Sequence, residues 1–278
     1  MEFIKLFNFK DFGDLAEFAK AAGILGAENL GKFWLSARAI VNYDTADLAS
    51  FVKAFGFEHD DLIKFIRVST YPVPINLGRF AKAYGIKSGI ELVEFAKACE
   101  LDYKDLASFT SGYEIKTTRE LVEFVNKYEI KNNNLSDFIR SYGNSDINDL
   151  IELAKDNITG VENLINFMKS SGSTDGVFLA RFAKAYGIKD NDLHTFIRAF
   201  NNLVGDGIEL GAFARAYGVK GAENLGEFAK IHGIKTINSL SMFARFNSIN
   251  GVEDLGKFAK AAGIDADEFL IDQRLRYS

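Results

Sequence analysis

The sequence predicts an all-α solenoid, a right-handed superhelix of roughly 17–18 short antiparallel helices. Three observations predict it. A leucine recurs from Leu15 to Leu255 at spacings that are mostly 14 or 15 residues. A phenylalanine stands three positions after the leucine in nearly every unit, as at Phe18, Phe33, Phe51 and Phe258. A glycine often stands eight positions after it, as at Gly56, Gly85, Gly187, Gly218 and Gly263. The leucine defines column zero of the repeat.

Each column has a physical reason. Apolar residues at columns zero, three, four and seven lie on one stripe of a helix with 3.6 residues per turn. Glycine at column eight takes the left-handed conformation that ends a helix, and the Ile, Leu or Val after it folds back onto the finished turn. Before the leucine, Ser88-Gly89-Ile90-Glu91, Thr117-Thr118-Arg119-Glu120 and Thr159-Gly160-Val161-Glu162 read as capping boxes. Each helix then has about 10–12 residues, or about 15–18 Å. Helices this short do not stand alone and must bury the Leu/Phe stripe on neighbours. Small residues at column one, such as Gly31, Gly78, Gly211, Gly226 and Gly256, allow helix axes to approach closely.

In order along the chain, residues 1–13 read as an N-terminal cap and half-unit, 14–264 as the tandem repeats and 265–278 as a closing cap around Phe269-Leu270-Ile271. The whole of 1–278 reads as one α-solenoid domain. From Leu77 to Leu193 the spacings alternate 15 and 14, so a helix pair of 29 residues is the natural unit there. The regularity breaks at five places. Trp34 is followed by the tail Ala39–Asp44, and Tyr71-Pro72-Val73-Pro74 holds the only prolines. Leu153 replaces the phenylalanine, Ser170–Gly176 is a polar loop, and Asn201–Gly207 extends the spacing after Leu193 to 17. These departures read as neutral insertions, bends of the superhelix, or lips over a groove.

The composition of the 278 residues agrees. Two prolines suit a nearly all-helical chain, and 26 phenylalanines against one tryptophan mark a repeated packing slot. A net charge of -5 and a pI near 5.4 exert no global pull toward nucleic acid or membrane. Cys99 is the sole cysteine, which excludes an internal disulfide framework and suits a reducing compartment. The first residues do not read as a signal peptide, and no run approaches 18 apolar residues. A cytoplasmic location is expected, with signal-less secretion as the other compartment the sequence allows.

The most periodic polar feature is column five, which is Lys or Arg in 14 of 17 units. One reading is a ladder along a phosphate backbone. The other is structural: a cation in the last turn favours the negative helix end, or pairs with the capping acids of a neighbour. The candidate ligand-contacting cations are Lys53, Lys82, Arg140, Lys169, Arg198 and Lys230. Column seven is aromatic in half the units, and Tyr84, Tyr142, Tyr186 and Tyr217 are the candidates there, either stacking on a ligand or packing with the hydroxyl at the edge. The histidines His59, His194 and His232 show no metal-ligand spacing, and Cys99 has no histidine near it in sequence. No metal, cofactor, membrane or small-molecule partner is expected, and no catalytic centre.

The architecture resembles helical solenoids of the HEAT and related classes, with a shorter unit. Gly221-Ala222-Glu223-Asn224-Leu225 and Gly251-Val252-Glu253-Asp254-Leu255 resemble the helix starts of DNA-reading repeats of the TAL-effector type over about five residues per unit. The long second helix and variable base-reading pair of those repeats have no counterpart here, so no residue role carries over. The expected function is a non-enzymatic scaffold engaging a protein or peptide along its extended or concave surface. The alternatives are nucleic-acid binding through the column-five cations and a structural or self-assembling rod.

Overall fold

The structure, a computed structural model, describes residues 11–38, 44–69, 73–143 and 146–275, without the side chains of Arg38, His59 and residues 272–275. The expectations for residues 1–10, the tail 39–43, Tyr71-Pro72 and residues 276–278 lie outside the described residues. Everything regular among the described residues is helical. The helices are α1 Phe12–Ala21, α2 Ala27–Arg38, α3 Thr45–Phe55, α4 His59–Val68, α5 Pro74–Tyr84, α6 Ile90–Ala98, α7 Tyr103–Tyr113, α8 Thr118–Tyr128 and α9 Asn132–Tyr142. They continue as α10 Ile147–Lys155, α11 Val161–Ser170, α12 Gly176–Tyr186, α13 Asp190–Arg198, α14 Gly207–Tyr217, α15 Ala222–Ile231, α16 Ile237–Phe246, α17 Val252–Ala262 and α18 Ala266–Leu275. The chain forms two compact groups, Met1–Tyr142 and Gly143–Ser278. Each helix carries one leucine unit, and α18 is the closing helix.

The helices start and stop as the columns require. Gly56, Gly85, Gly187, Gly218 and Gly263 close their helices with φ between 78° and 103°. The column-nine amide then returns to the column-four carbonyl, as from Ile86 to Ala81 at 3.0 Å and from Ile188 to Ala183 at 2.9 Å. Three units close on glutamate instead: Glu100, Glu114 and Glu129 hold φ of 56°, 63° and 66°. An L side chain there costs about 1 kcal/mol or more, which glycine avoids. Glu129→Gly should therefore raise stability by up to about 1 kcal/mol in urea unfolding; a loss would mean that the glutamate makes a compensating contact.

Of the three expected capping boxes, only Thr117 caps with its side chain, accepting from the Glu120 amide at 3.2 Å. At the other two the cap is Gly89 or Gly160, with φ of 90° and 81° and no side-chain cap bond. The chain turns into those helices through a positive φ, so glycine takes the cap and displaces Ser88 and Thr159 from it. A complete box forms at Asp44 and Asp47.

The core is made by columns zero, three and four. Leu48, Phe51 and Val52 on α3 are fully buried, as are Leu179, Phe182 and Ala183 on α12. The column-three rings meet from one helix to the next. Phe80, Phe95, Phe109 and Phe124 form one run, with centroids 6.2 Å apart at each step. In the second group Phe213, Phe228, Phe243, Phe258 and Phe269 form another, with steps of 5.8–6.5 Å.

Backbones come closest between a helix and the second one after it, so alternate helices stack into layers. Column one sets how close. Ala16, Gly31, Ala49, Gly78 and Ala107 bring α1 to α3, α2 to α4, α3 to α5, α5 to α7 and α7 to α9. In the second group Ala180, Gly211 and Gly226 do the same for α12 with α14, α14 with α16 and α15 with α17. Where column one is larger, the stack loosens: Val93 between α6 and α8, Ile151 between α10 and α12, Ile165 between α11 and α13. Within the first group the most open step is α4 to α6, with Ile63, and within the second it is α13 to α15, with His194. The cause is steric. A Cβ at Gly78 would stand 2.1 Å from the Phe109 carbonyl oxygen and 2.6 Å from the Tyr113 nitrogen. One at Gly226 would stand 2.4 Å from the Phe258 oxygen. Column one of one helix thus faces columns three, six and seven of the helix two further on.

Candidate functional site

The same register decides where the column-five cations go. Several of them point along the stack to the C-terminal end of the second helix after their own. Lys20 Nζ donates to the Ala54 carbonyl at 2.9 Å and Lys53 Nζ to that of Ala83 at 2.8 Å. Arg67 donates to the Ala98 carbonyl at 3.0 Å and to Glu100 Oε1 at 2.7 Å. Unpaired carbonyls and the negative dipole end make those termini good cation acceptors. Where the terminus closes on an aromatic residue, the ammonium also lies over its ring: Lys53 is 6.0 Å from the Tyr84 centroid and Lys97 5.3 Å from that of Tyr128.

The six candidate cations therefore have individual settings. Lys53 is engaged as described. Lys82 pairs with Glu114 at the closing position of α7, and this hydrogen bond and charge hold the Glu114 carboxyl below its ordinary pKa. Arg140 lies 3.6 Å from Asp137 of its own helix. Lys169 sits 6.0 Å over the Phe200 ring. The Lys230 side chain lies against Gly263, the closing glycine of α17. Arg198 is exposed, and among the described residues no hydrogen bond, ion pair or ring contact reaches it. Its helix, α13, is one of the two that pack loosely on their stacking partners.

The four candidate tyrosines pack on the phenylalanine of their own helix: Tyr84 on Phe80, Tyr142 on Phe138, Tyr186 on Phe182 and Tyr217 on Phe213, at 5.6–5.9 Å. Two of them also tie backward along the stack. Tyr217 donates its hydroxyl to the Ile188 carbonyl at 2.6 Å, and Tyr186 to that of Ile158. Tyr113 and Tyr128 do the same to Ile86 at 2.7 Å and Leu101 at 3.0 Å. Partial burial raises the pKa of all four of these hydroxyls. Cations thus reach forward and tyrosines backward over the same two-helix step.

Two clefts interrupt this surface. In the first group, where Ile63 holds α4 off α6, a cleft of about 270 Å³ is lined by Leu62, Tyr84, Ile86, Glu91 and Glu94. In the second, Ile208 of α14 and Met242, Arg245 and Phe246 of α16 line a cleft of about 350 Å³. Ile208 is 47% exposed and Met242 37%.

One pair of chemically versatile side chains escapes sequence reasoning. His194 on α13 and His232 at the end of α15 are 38 positions apart, yet their Nδ1 atoms lie 3.3 Å apart. The signal was present: His194 is in column one and His232 in column seven, the two columns that meet across a stacking step. His232 is buried, and its ring also packs on Phe228 at 4.3 Å. Burial first, and the neighbouring His194 second, push its pKa down from 6.5 to about 4. In the unfolded chain His232 takes up a proton near pH 6.5, whereas the folded chain resists until about pH 4. The stabilisation is full above pH 6.5, drains away between those values, and is gone below them. It amounts to about 2 kcal/mol after allowance for partial solvation. Urea unfolding at pH 7 and pH 4 should show a smaller acid loss for His232→Gln than for the parent; equal losses would contradict this role.

The Cys99 thiol is pushed up to about 12, chiefly by burial, and is protonated at neutral pH. Among the described residues no helix is long and apolar enough to cross a membrane, and no three His, Cys, Asp or Glu side chains gather as a metal-binding group. No protein-family model matches the chain, and comparisons with curated proteins and with solved structures return no significant match.

Proposed function

We propose that the chain is a non-enzymatic helical-repeat scaffold whose surface engages a protein or peptide. The observation that carries this reading is the use of the cation column inside the fold. Lys20, Lys53, Arg67, Lys82 and Lys97 are occupied with the ends and closing residues of neighbouring helices. An exposed ammonium held on a carbonyl must leave it before it neutralises a phosphate, so a ladder built this way is a poor polyanion track. What the surface offers instead is apolar: the cleft of Ile208, Met242 and Phe246 suits inserted side chains of a peptide segment.

A displayed-peptide selection against the protein tests this. Binders should be enriched, and Ile208→Asp combined with Met242→Asp should weaken them at least tenfold without lowering the melting temperature. Failure to enrich any binder would overturn the scaffold reading. Binders indifferent to the two substitutions would overturn the choice of cleft.

A further inference from the structure

We infer that His194 and His232 form a two-imidazole site for Zn²⁺, with the remaining coordination positions filled by solvent. Geometry carries the inference. Tetrahedral zinc with Zn–N of about 2.0–2.1 Å holds two ligand nitrogens about 3.3–3.4 Å apart, a square-planar cis pair about 2.9 Å and a linear pair about 4.1 Å. The observed separation of the two Nδ1 atoms is 3.3 Å, which falls on the tetrahedral value. The rings come from different helices, at the loosely packed step between α13 and α15. His194 is half-buried, which gives the pair access to water, while His232 is anchored against Phe228.

Without metal the 3.3 Å contact is an N–H···N bond, with the donor ring set by the tautomers. Zinc needs the lone pair of both Nδ1 atoms. The ring that donates must therefore move its proton from Nδ1 to Nε2 through solvent, and no proton is gained or lost overall. Because no third protein ligand joins among the described residues, the ion is held loosely and exchanges.

The test is calorimetric titration of the full chain with Zn²⁺ near pH 7.5, with melting curves at zero and saturating zinc. One zinc per chain and a raised melting temperature are expected, with Ca²⁺ as an inert control. His194→Gln should weaken binding at least tenfold and abolish the thermal shift, whereas His59→Gln should leave both unchanged. His232→Gln should behave like His194→Gln; if it fails to fold, the half-buried His194 still decides. Absence of saturable binding in the parent, or binding and a thermal shift that survive His194→Gln, would overturn the site.

Discussion

Gly78→Ala should destabilise the protein by about 3 kcal/mol or more, a large effect for one methyl group. The Cβ would stand 2.1 Å from the Phe109 carbonyl oxygen, 2.6 Å from the Tyr113 nitrogen and 2.9 Å from the Gly112 carbonyl carbon. All three are backbone atoms of α7 and cannot rotate away. The helices α5 and α7 must separate, and the Tyr113 hydroxyl then loses its hold on the Ile86 carbonyl. Gly256 occupies the same column on α17 and supplies the control, since a Cβ there meets nothing within 4 Å. Gly256→Ala should be neutral or stabilise by about 0.5–1 kcal/mol, because alanine is the better helix former. Urea unfolding of both variants measures the contrast; similar effects of the two would show that column one does not set the stacking distance.

Phe182→Ala should cost about 3–5 kcal/mol. The ring is fully buried, meets Phe167 at 6.1 Å and Phe196 at 6.4 Å, and carries Tyr186 at 5.9 Å on its own helix. Truncation removes its own transfer energy and leaves both neighbours facing a void between layers. A change below about 1 kcal/mol in urea unfolding would mean that column three is not core.

The fold was legible because one period runs through the whole chain. Leu, Phe and the residue after it recur on a helical stripe, and glycine ends many of the helices, so element type and number follow from spacing alone. Column one was legible as a close approach but not as a variable. That Ile63 and His194 would open a step could be seen only once the register between stacked helices was known. The same register was needed for the cations. The sequence places Lys53 in a last turn, but only the packing shows its ammonium on the Ala83 carbonyl of another helix. The capping boxes misled at Ser88 and Thr159, where a four-residue pattern carries no information about the sign of φ at the glycine that follows. The histidine pair was hidden for the reason the cations were: 38 residues of sequence separate two positions that the two-helix step brings together.

Fluorescence anisotropy with labelled single- and double-stranded DNA and RNA, at about 50 mM and 200 mM salt, tests most directly the claim that the column-five cations are internal ties. No saturable binding is expected at either salt, because Lys20, Lys53, Arg67 and Lys82 are committed to neighbouring helix ends. Tight binding at the lower salt that weakens steeply at the higher would contradict it and assign the ladder to phosphates.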